Sequence, residues 1–366
     1  MASEVAVVST GHDVADARIH KIVSALIRRG LNVQVWGLGR ADQGPQGAEV
    51  RVTTRGGLVR RATRAVLLPW RADADLLVTV DPDTVASARL ASRVRRRRLV
   101  VDVHEDYAML LRDRPWARGA PGVLARWLVA LSTSSAARAD LTVVADDHVP
   151  PLLARQRLVV KNAPDWTYLP SPTAPGSIPR ALYIGDVRSS RGLFEMLSAL
   201  SQAPGWHLDV VGPVAANDSV PLSAALERHD LTNRVRFHGR LPPAAAWRLA
   251  EGAWVGLALL QDTPAFRDAV PTKLDEYIAT GLPVIVSDLP RPAGLIRNSG
   301  AGAVVRSPSE AAEVLRALVD SPAFLQRLRT AAVNRRATIL SSESPYDDLA
   351  DRILSMLRST NGGQPS

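Results

Sequence analysis

At 366 residues, 46% of them hydrophobic, the chain is long enough for two domains of ordinary size, each with its own core. The absence of cysteine excludes disulfides and cysteine-ligated zinc, and no apolar stretch reaches the ~20 residues that a bilayer-spanning helix needs; the longest, GVLARWLVALS, is broken by Arg126. The net charge of +9 is uneven: residues 1–165 carry 25 Lys and Arg against 17 Asp and Glu, whereas residues 166–366 carry 20 against 19.

The opening MASEVAVVSTGHD reads as a strand after a short acidic lead, without the basic and apolar segments of a signal peptide, so a cytoplasmic location is expected. Short apolar runs then alternate with helical stretches. In the first half the strands are predicted at 4–9, 32–36, 49–54, 75–80, 98–103, 140–145 and 157–163. Between the first two, Ile19, Ile22, Val23, Leu26 and Ile27 recur at helical spacing, and Gly30 ends the helix. Five of the 17 residues in 164–180 are proline, which reads as a linker. Strands resume at 181–186, 207–212, 235–239, 254–260, 283–288 and 302–305, again with helices between them. Continuous apolar strands alternating with helices imply parallel sheets covered on both faces. The expected organisation is α/β: two doubly wound domains, 1–163 and 181–345, facing a cleft, then a helix over 346–366 that packs back on the first domain and ends in a disordered tail.

Several motifs are excluded by what they lack. The first turn, STGHDVADAR, has one glycine where a dinucleotide fingerprint needs three; GLGRAD at 37–42 lacks the third, and there is no P-loop. HEDYA at 104–108 lacks the second histidine of a zinc helix. DPD at 81–83 has the form of an Asp-x-Asp metal clamp but reads more simply as two solvated acids at a strand end. His104 is different, because it directly follows a buried strand and is joined by Glu105 and Asp106.

The second half carries the stronger signals. YIGDVRSSRGLFEMLSAL at 183–200 is a strand, a loop with Gly185, Arg188, Arg191 and Gly192, and a helix; it fits an anion site and equally a solvent-facing basic loop. RDAVPTKLDEYIATGLPVIVSD at 267–288 predicts a helix entered through Pro271 and Thr272 and ended by Gly281. Glu276 is placed in its second turn and Asp268 on the preceding loop, with Lys273 between them. The helix start and Lys273 suit a diphosphate, and carboxylates on either side can accept hydrogen bonds from sugar hydroxyls, one acid for each sugar of a nucleotide sugar.

With these residues in view, the sequence resembles the retaining glycosyltransferases of family 4, which have the GT-B fold. DEYIATGLPVIVSD matches that family's acid-x7-Glu helix and its glycine-strand sequel. YIGDVRSSRG and VRFHGRLP match its basic loop and the strand before its base pocket. In the first half DVADARIHKIVSALIRRG and VDVHEDY are similar to a subgroup common in surface-polysaccharide assembly. The resemblance implies a nucleotide-sugar donor and no cofactor, metal or nucleic-acid partner. It places Glu276 on the donor ribose, Asp268 on the transferred sugar in place of the usual Glu, and Arg191 on the diphosphate in place of the usual lysine. Asp186 stands where the family has an arginine, a charge that Arg188 could supply. His104 would touch the sugar near the reacting carbon, and Gly11 would let the diphosphate approach the backbone. A nucleotide-sugar epimerase and a non-catalytic binder of nucleotide sugars remain as alternatives.

The basic first half asks for an anionic partner. Only three of the 45 bases are lysine, and arginine drift alone can raise charge, but drift does not place the excess in one half. Residues 54–71 combine Arg60, Arg61, Arg64 and Arg71 with Leu58, Val59, Val66, Leu67, Leu68 and Trp70. They read either as a helix lying on an anionic membrane at its inner face, near a lipid-linked or saccharide acceptor, or as a core-packing helix with solvated arginines.

Overall fold

The computed structural model describes residues 3–112, 119–267, 271–341 and 344–361, and the chain divides into two compact units. Unit 1 comprises residues 1–163 and 344–366; unit 2 comprises 164–343.

The sheet of unit 1 has seven parallel strands, β1 (Ser3–Asp13), β2 (Val33–Leu38), β3 (Glu49–Thr53), β4 (Ala74–Thr79), β5 (Arg98–Val103), β6 (Leu141–Val144) and β7 (Arg157–Val159), in the order β3-β2-β1-β4-β5-β6-β7. Alternation along β1 feeds both faces. Val5 and Val7 pack with Ile19, Ile22 and Leu26 of the Ala17–Arg28 helix, while Ala6 and Val8 pack with Leu68, Leu77 and Val85. Asp16 starts that first helix by accepting a hydrogen bond from the Arg18 amide at 2.9 Å, and Gly30 turns the chain out of it with φ +80°. The Pro345–Asn361 helix lies on this unit: Tyr346, Leu349 and Ile353 join the β1 core, and Arg29 holds Asp351 through two bonds of 2.7 and 2.8 Å.

Unit 2 repeats the plan with six parallel strands, β8 (Arg180–Ile184), β9 (His207–Val211), β10 (Val235–Gly239), β11 (Val255–Ala258), β12 (Val284–Ser287) and β13 (Gly302–Val305), in the order β10-β9-β8-β11-β12-β13. In both sheets the order reverses beside the first strand, at β1/β4 and at β8/β11, which is where such folds place ligands.

Residues 164–180, proline-rich and read as a linker, are tied to unit 2 along their length. Trp166, Tyr168 and Leu169 pack on its core, the Gly176 amide donates to Gly252 O at 2.9 Å, and Trp254 Nε1 donates to Gly176 O at 2.8 Å. The prolines fix an extended strap.

The largest fully buried side chain is Trp206, whose Nε1 donates to Leu315 O at 3.0 Å and whose ring meets Trp254 edge-on at 5.8 Å. Trp206→Ala should remove about 3–5 kcal/mol from unit 2 unfolding in denaturant titrations; a loss under about 1 kcal/mol would contradict this packing.

Candidate active site

In unit 2 the chain leaves β8 through a turn that admits no side chain. Gly185 has φ +141° and Gly212, after β9, has φ +136°. A Cβ on Gly212 would lie 1.9 Å from Gly185 O, and one on Gly185 would lie 2.9 Å from Lys273 Nζ. The backbone and the lysine head are therefore in near contact because both positions are glycine.

The loop that follows is fastened at several points. Tyr183 donates its hydroxyl proton to Asp186 O at 2.7 Å, and Arg188 pairs with the Asp186 carboxylate at 2.6 Å. Asp218 accepts from the Ser189 amide at 3.0 Å and from the Ser189 hydroxyl. Gly192, at φ +85°, then starts the Leu193–Ser201 helix; a Cβ there would meet Leu259 O at 1.9 Å. This loop carries Arg191, whose buried Nε has no hydrogen-bond partner among the described residues. Its guanidinium lies 6.0 Å from the centre of the Phe266 ring.

The Lys273–Ala279 helix brings the second set of residues to the same turn. Thr272 precedes it without a side-chain cap, and the buried Glu276 falls in its first turn, not the second as its spacing from Pro271 suggested. Lys273 is 7% exposed, and its Nζ has no hydrogen-bond partner among the described residues. The ammonium lies 4.0 Å from the centre of the Tyr183 ring. Burial, and then the charge of Arg191, push the lysine pKa down to about 7 against the opposing pull of Glu276 and Asp186. Gly185, Arg191 and Lys273 are thus brought together. Asp268 lies outside the described residues.

Glu195 and Gln261 were not singled out by sequence reasoning. Gln261 donates to Glu195 Oε1 at 2.8 Å, while Glu195 Oε2 is buried without a partner among the described residues. They line a cavity of about 470 Å³ beyond the carboxyl ends of β11, β12 and β13. The signal was the run of polar residues, QDT, two residues after β11.

Unit 1 builds its own constellation at the β1/β4 reversal. Asp81 is buried, not solvated as the DPD reading supposed. It accepts from the amides of Thr10 (2.8 Å) and Gly11 (3.0 Å) and from the Ser9 hydroxyl (2.5 Å). The glycine is required because a Cβ on Gly11 would come 2.8 Å from Asp81 Oδ1. The anion held at the Gly11 turn is therefore a carboxylate of the chain itself. His12 Nδ1 lies 3.0 Å from Asp81 Oδ1 in a geometry that makes an ion pair and not a well-aligned hydrogen bond. Burial works against the charged ring, but Asp81, aided by Asp16 and Asp102, outweighs it and raises His12 to about 9. The Asp81 carboxyl is held well below its usual range: burial opposes ionisation, but His12, Ser9 and the Gly11 amide overcome it.

Beside it, Asp102 at 2% exposure accepts a bidentate pair from Arg18 (2.8 and 2.6 Å) and faces His104 Nε2 at 2.6 Å. The rings of His12 and His104 meet edge-on at 5.2 Å. His12 and Arg18 were not singled out by the sequence reading, and Asp81 was set aside in it as a solvated acid. The available signal was that both STGHD and DPD end strands flanking the order reversal.

Residues 166–335 match the family model described as glycosyl transferases group 1. In fold, the chain is similar to sucrose-phosphate synthase from Thermosynechococcus elongatus (TM-score 0.64, 16% identity, 99% of this chain and 100% of that one). It is also similar to Anabaena HepE in complex with UDP and glucose (0.65, 17%, 98% and 100%) and to WaaG, a glycosyltransferase involved in lipopolysaccharide biosynthesis (0.60, 15%, 95% and 99%). No curated protein sequence is similar enough to count as a match. Two all-parallel α/β units in this arrangement of strands are the GT-B fold, and the match to the group 1 glycosyl transferase model lies within unit 2.

The His12 pair sets a pH dependence. Because the folded value lies above the ordinary 6.5, its contribution to stability is complete below about pH 6.5 and is lost as pH rises through about 9. Imidazole NMR should show His12 still protonated at pH 7.5, and Asp81→Asn should lower its midpoint markedly, since burial is then opposed only by the lesser charges of Asp16 and Asp102. A wild-type midpoint near 6.5 would contradict the pairing.

Proposed function

We propose that the protein is a retaining glycosyltransferase of the family 4 type that moves a sugar from a nucleotide-diphosphate donor to an acceptor in polysaccharide or glycolipid assembly. The observation that carries this reading is the buried, unpartnered Lys273 ammonium at the Gly185 turn, with the buried Arg191 Nε beside it. A site that brings two buried cationic groups to a glycine turn suits a diphosphate. The similarity to HepE, whose structures hold UDP and glucose or UDP-glucose, supports a donor of that class.

On this reading the bond from the sugar's anomeric carbon to the diphosphate oxygen breaks as the acceptor oxygen bonds to the same face. The acceptor's proton passes to the leaving phosphate. Negative charge grows on the diphosphate, and Lys273 and Arg191 offset it where it develops, without a metal or a protein nucleophile. Glu276 takes the ribose hydroxyls, and Asp268 takes the transferred sugar. Gly185 lets the Lys273 head approach the backbone, whereas the Gly11 position is already taken by Asp81. Arg188 joins the phosphate set only by leaving Asp186. That ion pair favours a second reading, a protein that binds nucleotide sugars without turning them over; donor binding with neither transfer nor hydrolysis would support it.

Glu276→Ala should weaken donor binding in calorimetry by about tenfold to a hundredfold, the ~1.5–3 kcal/mol of a charged hydrogen bond. Unchanged affinity would remove Glu276 from the site.

The acceptor side of the proposal is a lipid-linked or saccharide substrate at an anionic membrane. Its support is the Leu58–Arg71 helix, which buries Ala65, Leu68 and Pro69 and leaves Leu58 and Val59 88% and 81% exposed beside Arg60. Among the described residues no helix is long and apolar enough to cross a membrane. The protein should sediment with anionic vesicles at low salt, and Leu58→Ser/Val59→Ser should weaken this severalfold. Wild-type protein that stays in the supernatant would contradict the membrane reading.

A further inference from the structure

The amino-terminal edge of the unit 1 sheet holds a cavity of about 390 Å³ whose lining includes seven arginines and a single acid, Asp140. It is built where the Val85–Val94 helix runs into β5, the stretch RVRRRR, and is closed by Arg138 and Arg155. Arg98 opens β5 at this edge and His104 follows its far end, so six residues of extended chain, roughly 20 Å, separate the cavity from the His104 cluster.

Arginines that have drifted onto a surface keep their polar atoms in water. Here the buried Nε atoms of Arg89 and Arg97 have no hydrogen-bond partner among the described residues, while the terminal nitrogens of Arg97 donate to Ala72 O and Pro69 O and fix that guanidinium in place. The same holds for the hydroxyl of Ser92, a residue only 4% exposed that lines the cavity. Asp140 is shared between Arg98 and Arg155, at 3.4 Å from each, so one carboxylate faces a large excess of positive charge. Burial, followed by the neighbouring charge of Arg95, pushes Arg97 down to about 10; burial, followed by Arg93 and Arg138, lowers Arg89. The backbone is costly as well. The helix ends with the Arg97 amide bonding Ser92 O at 2.9 Å, a closure that puts the residue before Arg97, Arg96, in the left-handed region at φ +53°. That position is ordinarily glycine, and here it carries a further arginine of the cavity wall.

Like charges, unpartnered polar atoms and a strained backbone at one place are the marks of a site organised for an anion. Guanidinium forks match the oxygens of a phosphate, and a compact cavity suits a multiply charged headgroup better than an extended acidic peptide. We propose that this cavity is a second anion site that binds a phosphate-bearing group, either a free di- or oligophosphate or the phosphomonoester head of a lipid. It is independent of the donor reading, since it shares no residue with the Gly185 turn.

The test has two arms, each comparing Arg93→Ala/Arg96→Ala with Arg228→Ala/Arg248→Ala, which removes the same charge from exposed positions of unit 2. In the first, inorganic pyrophosphate is titrated at about 0.15 M salt, where long-range attraction is screened. In the second, all proteins carry Leu58→Ser/Val59→Ser and are sedimented with phosphatidylcholine vesicles containing phosphatidic acid, so that the apolar helix does not contribute. The expected result is binding that the Arg93/Arg96 pair weakens by about tenfold or more and the control pair leaves unchanged. Loss confined to pyrophosphate identifies a soluble ligand, and loss confined to vesicles identifies a lipid head. Equal weakening by both pairs, or no binding in either arm, would overturn the proposal. Circular dichroism of the variants excludes unfolding as the cause.

Discussion

A lysine ammonium held out of water at a backbone turn is the constraint around which unit 2 is arranged. Lys273 fits against Gly185 because that residue has no Cβ, and Gly185 can take its φ of +141° for the same reason. Gly212 must in turn leave room for Gly185 O, and the ring of Tyr183 forms the floor beneath the charge. Burying an ammonium without a hydrogen-bond partner costs free energy, and the fall of its pKa to about 7 is the visible sign of that cost. A fold tolerates such a cost where function needs it.

Unit 1 handles the equivalent position in the opposite way. Its first strand also ends in a glycine turn beside the order reversal, but the amides of Thr10 and Gly11 are met by Asp81, and Asp81 by His12. Arg18 and His104 likewise share Asp102. This cluster is balanced internally, cation against anion. The turn of unit 2 instead leaves the Lys273 ammonium and the Arg191 Nε without hydrogen-bond partners among the described residues, which is why the phosphate-binding role is proposed there. A carboxylate–histidine pair that is already satisfied is better suited to orienting a ring than to capturing an anion.

Much of the fold was legible because buried parallel strands are apolar along their whole length. Runs such as DLLVTV and PVIVSD marked strands at all thirteen positions, to within a few residues at the ends. Glycines were legible for a related reason: Gly30 and Gly281 end helices at positive φ, where other residues are strained. The site was less so. Gly185, Arg191 and Lys273 were found through local motif and resemblance, but Asp81 and His12 are 69 residues apart, and only the sheet order brings them to one place. Asp81 was read as solvated because nothing in DPD shows that three donors from β1 converge on it. The anchoring of the proline-rich strap could not be read from composition, because its hydrogen bonds to Gly252 and Trp254 depend on tertiary neighbours.

The central claim, that the Lys273 ammonium is kept for a diphosphate, is tested most directly by proton linkage. At pH 8 a lysine with a pKa near 7 is mostly neutral, and an anion bound at Nζ would restore its charge by drawing a proton from the buffer. Calorimetry of nucleoside diphosphate binding at pH 8 in two buffers of different ionisation enthalpy should therefore show uptake approaching one proton, abolished by Lys273→Met. Binding without buffer dependence, or uptake that survives Lys273→Met, would contradict the account.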